Sequence, residues 1–84
     1  MSHARDVADT VIRALVDRPA AVRVTEAAQR DGAVIEVVVS GEDLGRVIGR
    51  QGRTATAIRT LVMATAERDG TRVSVEFRDE HGQR

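Results

Sequence analysis

The stretch Val47-Ile48-Gly49-Arg50-Gln51-Gly52 is where residue types and spacing combine into a possible chemistry. Two glycines flank two polar residues between a short and a long helical segment. Glycine at both positions permits tight backbone geometry and removes any Cβ that would keep a ligand off the main chain. The loop also delivers its N–H groups together with the N-terminus of the helix that starts at Arg53. Such an end carries about half a positive charge and attracts phosphate. Arg46, Arg50 and Arg53 can then surround the same anion. The chemistry indicated is a clamp on a sugar-phosphate backbone, and the plain alternative is a glycine-rich turn between helices with no ligand. Other phosphate motifs fit badly, because Gly45, Gly49 and Gly52 do not make Gly-x-Gly-x-x-Gly and no lysine exists to complete a P-loop.

Composition narrows the field further. With 84 residues the chain is one small domain. At that size only about 60–65 % of the unfolded chain's surface is buried on folding, so a deep substrate cleft is hard to build. There is no cysteine, which removes disulfides, thiolate metal sites and cysteine nucleophiles, and no lysine for Schiff-base chemistry. His3 and His81 sit near the two ends, which are expected to be flexible, without companion ligands, so no metal site is expected. Ser40, Ser74 and the threonines lack a neighbouring base for nucleophilic catalysis. The acidic pairs Glu42-Asp43 and Asp79-Glu80 read as solvated, the first favouring the start of the helix that follows it. These absences point away from an enzyme, a cofactor and a small-molecule substrate. No apolar run is long enough to span a membrane, and the polar start from Met1 to Asp6 lacks the core of a secretory signal, so a cytoplasmic protein is expected.

Net charge is zero, yet its distribution is uneven. Between Leu44 and Ala66 stand four arginines, at 46, 50, 53 and 59, and no acid, whereas the remainder holds nine arginines against thirteen acids. One segment, the one containing the glycine loop, is locally cationic in an otherwise acidic chain.

The elements that must hold this loop can be read from periodicity. Apolar pairs Val7/Ala8, Val11/Ile12 and Leu15/Val16, four apart, predict an amphipathic helix over 6–17, stopped by Arg18-Pro19. Alternation predicts a strand over 21–25 with Val22 and Val24 inward, then a polar loop over 27–32 with the Asp31-Gly32 turn signal. A Val/Ile-rich strand over 33–40 follows, with Glu36 on its wetter side, and then a short helix from Glu42 to Ile48. A long helix runs from Arg53 to about Arg68, closed by Asp69-Gly70, and a last strand carries Val73, Val75 and Phe77 inward. The α-β-β-α-α-β order predicts an α+β fold. Its three-stranded mixed sheet has the second and third strands parallel and three helices on one face. The whole of 1–84 reads as a single domain with an ordered core over about 5–78 and a polar tail over 79–84.

The run from Gly45 to Thr60, Gly-Arg-Val-Ile-Gly-Arg-Gln-Gly-Arg-Thr-Ala-Thr-Ala-Ile-Arg-Thr, resembles the signature of KH domains. The element order resembles their bacterial type II arrangement. The length and the Leu-Val-Asp-Arg-Pro stretch at 15–19 are similar to the small single-KH proteins of the KhpA family, nearly end to end. The resemblance implies binding of single-stranded RNA, with about four nucleotides gripped at the GXXG loop. It also implies an RNA-chaperone role and partnership with a second, KhpB-like KH protein (also called Jag or EloR) in cell elongation and envelope homeostasis. Carried over, Gly49 and Gly52 are the loop glycines, with Arg50 and Gln51 as the variable pair facing phosphates. Val47 and Ile48 line an apolar floor, and Arg46 and Arg53 flank the backbone. Ile58 matches the second apolar position of the following helix, whereas the first is only Ala55.

Three further expectations follow. The other wall of the groove is expected from the strand at Ile35 to Val39, and without aromatic residues there the bases would meet aliphatic surface. Beside the core stripe of the long helix, Ala57, Leu61 and Ala64 form a second apolar line, read either as a wide core face or as a contact between two copies. Two rival readings remain: a helix-turn-helix duplex-DNA reader with Arg53, Thr56 and Arg59 facing bases, and a protein-assembly module that binds no nucleic acid.

Overall fold

The computed structural model describes residues 2–82. Helix α1 (His3–Leu15) is followed by strands β1 (Arg23–Gln29) and β2 (Gly32–Val39), helices α2 (Gly41–Ile48) and α3 (Arg53–Arg68), and strand β3 (Val73–Asp79). The sheet order is β1-β2-β3. β1 runs antiparallel to β2, with Arg23 opposite Val38 and Gln29 opposite Gly32, and β2 runs parallel to β3 from Ala33/Val73 to Val39/Asp79. The α+β architecture, the strand directions and the element order are those the sequence predicts.

Burial explains why these segments pack as they do. Ile35, Val37 and Val39 alternate inward on β2 and are fully buried, while Val73, Val75 and Phe77 do the same on β3. They meet Ala4, Ala8 and Ile12 of α1 and Ala55, Ile58, Val62 and Ala66 of α3, spaced three and four apart as a buried helical stripe requires. Glu36 and Arg78, joined at 2.7 Å, lie on neighbouring strands at positions that alternate with those inward residues.

The element ends differ from expectation for local reasons. α1 starts at His3 because the Ser2 hydroxyl caps it, accepting the Arg5 N–H at 3.1 Å. His3 is therefore helical rather than part of a loose end, with its Nδ1 3.3 Å from Asp69. The helix stops at Leu15, before Asp17, because the amides of Asp17 and Arg18 turn to the carboxylate of Asp43. Pro19–Ala21 form a tight turn, which delays β1 to Arg23, and β1 then continues to Gln29 through the segment read as loop. β3 continues to Asp79, whose backbone and side chain close a turn onto Gly82 and His81. The last two positions of the expected tail, 83 and 84, lie outside the described residues. After α3, Gly70 at φ 74° lets Thr71 N–H return to the Ala66 carbonyl and Gly70 N–H to that of Glu67, a Schellman closure.

Candidate nucleic-acid interface

The loop between α2 and α3 has an unusual backbone. Gly49, Gln51 and Gly52 have φ of 77°, 57° and 73°, so three of four consecutive residues are left-handed. Gln51 is the one non-glycine with positive φ among the described residues, a conformation that costs an L-residue about 1–2 kcal/mol. The two glycines serve for different reasons. A Cβ on Gly49 would run into the Thr54 side chain, whereas a Cβ on Gly52 would meet only open space, so there the backbone angle alone selects glycine. Held strain of this kind concentrates at binding sites, where the surrounding structure imposes it.

What the loop presents is equally specific. No side chain caps the N-terminus of α3 and no acid stands in its first turn, so the positive end of the helix is uncompensated. Arg50, Gln51 and Arg53 are exposed around it. Neither Arg50 nor Arg53 has a hydrogen-bond or ion-pair partner among the described residues. The other expected members are placed differently. Arg46 Nη2 is held by Asp17 at 3.0 Å and its Nε lies 3.9 Å from Asp43, so its guanidinium is engaged with acids. Val47 is wholly buried and supports the loop from beneath, leaving the partly exposed Ile48 as the apolar residue next to the glycines.

Asp43 is the functional-site neighbour that sequence reasoning misplaced. Glu42 is exposed and pairs with Arg18 at 3.4 Å, but Asp43 is 2 % exposed and not solvated. Its carboxylate accepts the main-chain N–H groups of Asp17 at 3.1 Å and Arg18 at 3.0 Å and the Ser40 hydroxyl at 3.1 Å. The Asp17 amide first, then that of Arg18, the Ser40 hydroxyl and the Arg46 charge, hold this carboxyl below its usual value against the opposing effect of burial. It ties the chain before Pro19 to the first turn of α2, the helix that ends in the glycine loop.

The expected groove wall also needs correcting. β2 is the central strand and its inward residues are fully buried, so Ile35 to Val39 cannot line an open groove. The edge strands are β1 and β3, and α3 reaches the edge of β3 through Arg59, whose Nε donates to the Val75 carbonyl at 3.1 Å. That placement also disfavours the duplex-DNA reading, because Arg59 is turned to the sheet edge instead of outward with Arg53 and Thr56. On α3, Ala57, Leu61 and Ala64 are all exposed, Leu61 at 47 %, so this line is not core.

Comparison with known proteins agrees with the fold. The KhpA/KhpB KH-domain model matches residues 5–77. The RNA-binding protein KhpA of Leifsonia xyli is 54 % identical over 70 residues, covering 83 % of this chain and 90 % of that one. Its counterpart in Caldanaerobacter subterraneus is 49 % identical over 72 residues, covering 86 % and 96 %. The one in Mycobacterium bovis is 48 % identical over 75 residues, covering 89 % and 92 %. Among solved structures, Era of Aquifex aeolicus superimposes with a TM-score of 0.68 at 19 % identity. It shares the fold over 90 % of this chain and 29 % of that longer one. With a family model spanning residues 5–77 and relatives 48–54 % identical over most of its length, the chain belongs to the KhpA/KhpB KH-domain family.

Proposed function

We propose that this chain binds single-stranded RNA through the loop at Gly49–Gly52, which grips the phosphates of about four nucleotides. The family is one of binding domains and not of enzymes. The observation that carries the reading is the left-handed loop closing on an uncapped helix N-terminus between two arginines, Arg50 and Arg53, that have no partner among the described residues. Several relatives bear the name RNA-binding protein, which supports it. With two or three phosphates neutralised, binding by one copy is weak and tolerant of sequence. An NMR titration with a short single-stranded RNA tests this. Amide shifts should concentrate on Gly49 to Thr54 and along β3, and shifts confined to β1 and β2, around Thr25, Glu36 and Val38, would contradict it.

The wider role extends from family membership: a cytoplasmic RNA chaperone or post-transcriptional regulator, acting with a KhpB-like protein in cell elongation and envelope homeostasis. No described helix is long and apolar enough to cross a membrane. The exposed line Ala57, Leu61 and Ala64 supports pairing of two copies, or of one copy with the second KH protein, across α3. Two linked loops would raise affinity through avidity. Leu61→Asp should then give a folded monomer with RNA affinity about tenfold or more below wild type, read by light scattering and anisotropy. A variant that keeps the wild-type dimer mass would sink the contact.

A further inference from the structure

Arg59 belongs to no phosphate clamp, yet it is held by two contacts. Its Nε donates to the Val75 carbonyl at 3.1 Å and its guanidinium carbon lies 5.0 Å from the centre of the Phe77 ring. The Ala33 N–H bonds to the Arg72 carbonyl, so in this parallel pair the even-numbered peptide groups of β3 face β2. Those of Val73, Val75 and Phe77 therefore face the open edge, and Arg59 is pinned there. The side chain is partly exposed, and its two Nη nitrogens have no partner among the described residues.

Phe77 is the chain's sole Phe, Tyr or Trp and is 3 % exposed, so its ring is not offered to a base, and His3 and His81 lie outside the α2–α3 loop region. An immobilised guanidinium is the flat, polarisable surface that remains, and RNA bases stack on such planes as they do on aromatic rings. Six residues separate Arg53 from Arg59, about 9 Å along the axis of α3, close enough for RNA held at the loop to lay a base there. We infer that Arg59 is a nucleobase seat: it stacks on, and hydrogen-bonds through Nη to, a base of the strand whose phosphates the GXXG loop holds. This rests on the proposed RNA-binding function and deepens it, since it assigns the base-contacting surface that the lack of aromatics leaves open.

The test compares a short single-stranded RNA with an abasic ribose-phosphate chain of equal length, using wild type and Arg59→Lys. Lysine keeps the charge and loses the plane. Arg59→Lys should bind the RNA about tenfold more weakly, bind the abasic chain as wild type does, and show an unchanged salt slope on both. Equal losses on the two chains would make Arg59 a phosphate or structural contact, and no loss on RNA would remove the base contact; either overturns the inference. Wild type binding both chains equally overturns it while the phosphate clamp stands, and wild type binding neither chain takes both readings down. Thermal melts check folding. If Arg59→Lys does not fold, Arg59→Met, which keeps an unbranched apolar cover on Phe77, is read by the same contrast at high salt.

Discussion

Replacing Arg50 and Gln51 together by aspartate should weaken binding of single-stranded RNA about a hundredfold, close to 2.7 kcal/mol, with no loss of fold. The exchange removes one exposed cation from the loop and sets two anions where phosphate would lie. Folding tolerates it for two reasons. Acidic side chains at the positive end of a helix stabilise it by about 0.3–1 kcal/mol, and the end of α3 is otherwise uncompensated. Aspartate also accepts the left-handed backbone of position 51 better than most residues do. Anisotropy titrations with circular-dichroism melts separate the two effects. An affinity within about threefold of wild type, where a hundredfold was expected, would move the phosphate site away from this loop.

The second large effect concerns Asp43. Its folded-state pKa lies below the usual value, so its contribution to stability is full above about pH 4 and is lost as pH falls through the lower folded value. Asp43→Asn keeps one acceptor oxygen and places an NH2 donor against the other main-chain N–H, that of Asp17 or Arg18, leaving that part-buried donor without an acceptor. It should lower the urea midpoint more than any other substitution named here at pH 7. The difference from wild type should shrink steadily below about pH 4, because other carboxylates titrate alike in both proteins. A gap of the same size at pH 7 and pH 2.5 would mean that the carboxylate charge is not what holds the joint. Since α2 ends in the glycine loop, the loosened variant should also bind RNA more weakly at neutral pH.

The parts of this molecule written in local pattern were readable before folding. The three-and-four spacing of α1 and α3, the alternation of Val73, Val75 and Phe77, and the Gly-Arg-Gln-Gly loop all act through neighbours a few residues away. What could not be read depends on partners far along the chain. Asp43 looks like any first-turn acid until the amides of Asp17 and Arg18, some 25 residues earlier, fold onto it. The engagement of Arg46 with Asp17 across 29 positions is hidden for the same reason. The groove wall expected on β2 fails because a Val/Ile-rich strand signals burial, and β2 is central and buried on the side facing the helices; that the edge reached by α3 is β3 only the sheet order and the Arg59 contact reveal. Arg59 carried one weak signal, an arginine two turns into a helix otherwise poor in charge.

The central claim, a single-strand phosphate clamp, is tested most directly by measuring wild-type affinity for a labelled single-stranded RNA and for duplex DNA across a salt series. The account predicts preference for the RNA, with a slope of log K against log salt of about −1.4 to −2.1 for two or three phosphates at ~0.7 each. Preference for the duplex, or no RNA binding at high micromolar protein and near-physiological salt, would contradict it.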